Sequence, residues 1–95
     1  MFVNIVRFPT IKRGKDIEFR RWFEESNRAY AEHSGFLRRV LLQPHDGGNY
    51  VAIVEHENRE TFMAMHTSAT LAELRQRAQT LFEGNPQPAF YDTVS

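Results

Sequence analysis

Asn58–Gly84, NRETFMAMHTSATLAELRQRAQTLFEG, is the stretch whose reading settles the rest, because it sets polar side chains into an otherwise apolar face. Taken as a helix from about Ser68, it places Leu71, Leu74, Ala78, Leu81 and Phe82 on one stripe at helical spacing. At about 100° per residue, Arg75 falls beside Phe82 inside that stripe, while Glu73, Gln76, Arg77 and Thr80 take the opposite, wet side. One turn earlier, Phe62, Met65 and His66 form a second short apolar face. A guanidinium and an imidazole therefore point to the side that a core should fill. Either they are paired structural residues, or they line a cavity.

Upstream of this stretch lie two strands and a turn. Asn49–His56, NYVAIVEH, alternates Tyr50, Ala52, Val54 and His56 against Val51, Ile53 and Glu55. Phe36–Gln43, FLRRVLLQ, is apolar on both faces, and Pro44-His45-Asp46-Gly47-Gly48 between the two is a strong turn signal, so together they predict a hairpin. Asp16–His33 is the clearest helix: Phe19, Trp22, Phe23, Ser26, Ala29 and Tyr30 share a stripe that His33 continues, and Ser34-Gly35 supplies a left-handed stop. Phe2–Phe8, FVNIVRF, predicts a strand with Asn4 on the same side as Phe2, Val6 and Phe8. Downstream, Gly84-Asn85-Pro86-Gln87-Pro88 reads as a loop before a last strand, Ala89–Val94.

The resulting order is β-α-β-β-α-β in one domain, residues 1–95: an α+β, ferredoxin-like split with two helices on one face of an antiparallel sheet. Ninety-five residues allow one small core, burying about 60–65% of the unfolded surface. Twelve basic and twelve acidic residues balance, which argues against nucleic acid or an anionic membrane as partner. Without cysteine there are no disulfides, thiolate nucleophiles or thiolate-bound metals. No apolar run resembles a signal peptide or a membrane span, so a soluble, cytoplasmic protein is expected. Every strand carries apolar residues on the side the helices leave open. A second copy of the same sheet is the economical cover, and a homodimer is expected.

These features resemble the antibiotic biosynthesis monooxygenase family of the dimeric α/β-barrel superfamily. The likeness rests on His33-Ser34-Gly35-Phe36 after the first helix, His56-Glu57-Asn58 after the hairpin, Phe62 with Met65-His66-Thr67-Ser68 in the second helical stretch, and Pro88-Ala89-Phe90-Tyr91 in the tail. It covers nearly the whole chain. The resemblance implies chemistry on a small aromatic molecule and O2 with no bound cofactor. In quinol-oxidising members of that family, an Asn and a Trp on the third strand and an Arg in the second helix line the pocket. Those positions read Ala52, His56 and Arg75 here. The positions that serve the haem-degrading branch read Arg7, Met65 and Arg75, so haem ligation is not expected.

Candidate site residues follow from both lines of reasoning. Arg75 must be paired if buried, either in a structural bridge to Glu55 or Asp92 or with a ligand's anion. His66, with an ordinary pKa near 6.5, suits proton abstraction from a phenol, and its bland reading is a core or capping residue. His56 is the other candidate base. His56 and His66 have no third ligand at a suggestive spacing, so no metal is expected. Trp22, Tyr30, Phe62 and Met65 would make a slot for a flat ring, with His33 at its mouth and Asn4 as a further polar contact. Nucleophile elbows, phosphate loops and paired catalytic carboxylates are absent. The reading is a cofactor-independent monooxygenase of a small aromatic or quinol-type substrate. The alternatives are a dimeric small-molecule binder or accessory protein, and an isomerase or lyase of the same fold.

Overall fold

The sheet is organised around the first strand, β1 (Phe2–Arg7), which pairs antiparallel with β3 (Val51–His56) on one side and β4 (Gln87–Asp92) on the other. With β2 (Phe36–Leu42) beside β3, the order across the sheet is β2-β3-β1-β4. The computed structural model describes residues 1–95. Strand side chains alternate between faces, so the register decides what faces the helices. Phe2 pairs with His56, Asn4 with Val54 and Val6 with Ala52 on β3, while Arg39 and Leu41 of β2 meet Val54 and Ala52 from the far side. One row across the inner face therefore reads Phe90, Asn4, Val54, Arg39.

Helix α1 (Asp16–Ala31) covers that face with Phe19, Trp22, Phe23 and Ser26, all buried. Its first turn is pinned to the hairpin: the Tyr50 hydroxyl donates to Asp16 Oδ1 at 2.5 Å and accepts from Arg20 Nε at 2.7 Å. The helix ends at Ala31, two residues short of the predicted His33, and Gly35 follows at φ +82°. A Cβ on Gly35 would come within 2.5 Å of the Thr61 side chain, so close approach as well as the backbone angle requires glycine here.

The predicted second helical stretch is two helices, α2 (Arg59–His66) and α3 (Ala69–Ala78). The break lies at Thr67-Ser68, where hydroxyls take over backbone groups. Thr67 Oγ1 donates to the Met63 carbonyl at 2.8 Å, and extended Ser68 accepts from Leu71 N–H at 3.2 Å as the cap of α3. Asn58 caps α2 in the same way through Thr61 N–H at 2.9 Å. Leu81 and Phe82 lie past the end of α3, yet both are buried, held by the Ile11–Phe82 bridge and the Lys12–Leu81 hydrogen bond. The third and last strands are also shifted from expectation. β3 begins at Val51 rather than Asn49, and β4 runs Gln87–Asp92 rather than Ala89–Val94. Pro88 fits within β4 because that strand has a free edge.

The opposite sheet face carries Val3, Ile5, Val40, Val51 and Ile53, all only half-buried, with exposed Leu42 and Tyr91 beside them. No helix lies over it. No helix of the chain is long and apolar enough to cross a membrane.

Candidate functional site

Between the inner sheet face and the three helices lies a cavity of about 300 Å³. Its floor is Asn4, Val6 and Phe8 of the first strand region, Ala52 and Val54 of β3, and Arg39 of β2. Trp22 and Tyr30 of α1, Phe62, Met65 and His66 of α2, and Arg75 and Ala78 of α3 form the walls. Gln79 and Phe82 beyond the end of α3, Asn85 and Pro86 before β4, and Pro88 within it complete the lining. Trp22 fixes the corner between helices, because its indole N–H donates to the Leu74 carbonyl at 3.2 Å, one residue before Arg75.

Comparison with known proteins gives the same architecture a name. The sequence profile of the antibiotic biosynthesis monooxygenase family matches residues 1–82. The chain belongs to that family. Its fold is that of SnoaB, a cofactor-independent oxygenase from Streptomyces nogalater, at a TM-score of 0.85 and 20% identity over 99% of this chain and 93% of that one. Rv0793 from Mycobacterium tuberculosis is similar at 0.84 and 15% identity, over 99% of this chain and 95% of that one. A candidate antibiotic biosynthesis monooxygenase from Nitrosomonas europaea is similar at 0.85 and 19% identity over the full length of both. No curated protein matches the sequence.

Within this monooxygenase family frame, seven of the sequence candidates meet at one cavity: Asn4, Trp22, Tyr30, Phe62, Met65, His66 and Arg75. His66 is half-buried and stacks on the Phe62 ring at 5.4 Å between centroids. Loss of solvation, and then the nearby Arg75 cation, hold its pKa below the usual histidine value. A neutral imidazole facing an apolar hollow is a proton acceptor. Arg75 itself is exposed, not enclosed in the apolar stripe as the periodicity implied. It sits about 60° round the helix from buried Ala78, so it flanks the stripe and lines the cavity from the exposed side. None of the three salt bridges includes Arg75; Glu55 pairs instead with Arg38 at 3.4 Å.

Two candidates lie elsewhere. His56 is fully buried, with Nδ1 at 3.0 Å from Thr61 Oγ1 and Nε2 at 3.2 Å from Met65 Sδ, edge-on to Phe36 and Phe62. Both ring nitrogens are engaged, and burial first, then His33, lowers its pKa. His33 lines a separate surface hollow with Ser34, Glu60 and Thr61. No group of three or more histidine, aspartate or glutamate side chains converges as a metal site would require.

The second charged side chain of the cavity lining, besides Arg75, was not singled out from the sequence. Arg39 points inward from β2, and its guanidinium carbon lies 3.8 Å from the Phe23 ring centroid and 3.9 Å from that of Tyr30. Burial lowers its pKa to about 10, with the Tyr30 hydroxyl opposing the shift. The signal was the Arg38-Arg39 pair in FLRRVLLQ, since alternation must send one of the two inward. The flanks are apolar on both sides, and a bulge between Phe36 and Arg38 breaks the count, so alternation alone did not choose between them.

Proposed function

We propose that this family member is a cofactor-independent monooxygenase acting on a small aromatic diol. The observation that carries the reading is the neutral His66 imidazole beside the unpaired Arg75 guanidinium, on the wall of a largely apolar cavity. His66 takes the proton of a phenolic hydroxyl, and Arg75 stabilises the phenolate as it forms. The anion is electron-rich at carbon and supplies the electrons to O2 itself. For a dihydroxynaphthalene, one oxygen atom enters the ring as a carbonyl at a carbon that loses its hydrogen, and the other leaves in water. Trp22, Phe62 and Met65 exclude solvent from the anion. At about 300 Å³ the hollow is at the small end of the usual range for ligand pockets and suits one or two fused rings.

Oxygen uptake by anaerobically prepared dihydroxynaphthalenes tests this, with labelled O2 to follow the atoms. One labelled oxygen per product is expected, and His66→Ala lowers the rate by about 10²–10⁴-fold. Uptake that yields only unlabelled quinone and hydrogen peroxide, or no uptake above the uncatalysed rate, overturns it. A dimeric binder without turnover is the second reading, favoured by Ala52 and His56 standing where the quinol-oxidising pattern has Asn and Trp. It is distinguished by ligand-induced thermal shifts with no oxygen consumed.

The reading includes a homodimer closed through the apolar sheet face of Val3, Ile5, Val40, Val51 and Ile53. Left uncovered, such a face would be a large exposed apolar patch.

A further inference from the structure

The proposed oxygenation uses His66 and Arg75 and leaves a second cation of the cavity idle. Arg39 is clasped by Phe23 and Tyr30, with Trp22 at 5.6 Å, and all three of its hydrogen bonds leave from Nη1. They run to the Phe23 carbonyl at 3.2 Å, Ser26 Oγ at 2.5 Å and Asn27 Oδ1 at 2.9 Å. Every acceptor is neutral, and no carboxylate forms a salt bridge with this cation. Nε is buried without any partner, and Nη2 makes none of these hydrogen bonds, while Arg39 lines the cavity.

That division of labour is informative. Tying β2 to α1 needs only the Nη1 edge. The free Nε and Nη2 N–H groups lie side by side on the other edge of the planar guanidinium, the pair that grips a carboxylate with two parallel hydrogen bonds. A buried cation without a counter-ion is costly unless something anionic completes it. The position also fits. Arg39 and Asn4 lie in one row across the sheet, two strands and roughly 10 Å apart, with Val54 between them. Phe62, on which His66 stacks, packs against Phe2 and Phe90 at the β1–β4 side. The idle cation thus comes to the hollow from β2, and the proton acceptor from α2.

We infer that the ligand is an aromatic acid whose carboxylate docks on the Nε–Nη2 edge of Arg39, while its hydroxyl lies toward His66 and Arg75. This rests on the cavity being the ligand site, and binding measured without oxygen separates it from the oxygenase reading. The probes are a hydroxynaphthoic acid and the matching naphthol, titrated anaerobically into the wild-type chain and Arg39→Gln. The acid should bind wild type at least about ten-fold tighter than the naphthol, the gain of a charge-assisted pair. In Arg39→Gln the two affinities should converge. Equal affinities in wild type, a ratio that survives in Arg39→Gln, or no binding of either compound overturns the inference. Should Arg39→Gln fail to fold, the Arg39 Nε–H resonance of labelled wild type decides. It shifts with saturating acid and not with naphthol if the inference holds, and stays put with both if it does not. A bound acid that consumes no oxygen when offered as the dihydroxy form sinks the oxygenase reading and leaves Arg39 as its anchor.

Discussion

His66 and His56 carry the same kind of pKa shift for different ends. Both are lowered mainly by burial, so both favour the neutral ring in the folded chain, against about 6.5 unfolded. Protonation is therefore harder in the folded state, and the contribution of these rings to stability is complete above about pH 6.5 and lost as pH falls below it. Thermal midpoints should be flat through neutral pH and decline into the acid range, with a shallower decline in His56→Phe; an equal slope in that variant would contradict the assignment. The rate should have an acid limb set by His66. Because Arg75 helps to depress His66, Arg75→Gln should move that limb upward toward 6.5 as well as slow turnover, which a pH–rate profile reads directly. Helical spacing and the family resemblance together singled out His66 and Arg75 in the sequence. Neither revealed that Thr61 and Met65 occupy both nitrogens of His56, because those contacts cross from a strand to a helix.

At the scale of elements, the alternation of the strands and the stripe of α1 were legible, and they gave the order of elements directly. The split between α2 and α3 was not, because the apolar period runs on through Thr67-Ser68 while two hydroxyls end one helix and start the next. Ser68→Ala should cost about 1 kcal/mol of stability by urea unfolding, the usual loss for such a cap. It should also weaken ligand binding, because α3 carries Arg75. An unchanged midpoint would mean that Ser68 is not holding the turn. Gly35 was readable as a helix stop but not as a contact. A methyl there meets Thr61 at 2.5 Å and a backbone angle that favours glycine, so Gly35→Ala should destabilise by more than about 1 kcal/mol.

For the molecule as a whole, the half-buried outer sheet face and the hollow beneath the helices are two sides of the same four strands. On the proposed reading a second copy covers the first, and Ile5→Glu with Ile53→Lys, each on the open face, should then convert that dimer to a monomer by light scattering. A wild-type mass equal to one chain at micromolar concentration would remove the dimer. The second face holds the central claim, that a flat aromatic ring enters the space between sheet and helices. Trp22 is the sole tryptophan and lines that space, so its fluorescence reports occupancy without any turnover. Anaerobic titration with a dihydroxynaphthalene should quench Trp22 emission saturably, at one ligand per chain, with weakened binding in Arg75→Gln. Emission that falls only linearly with added ligand, as for chance collisions, would contradict the account.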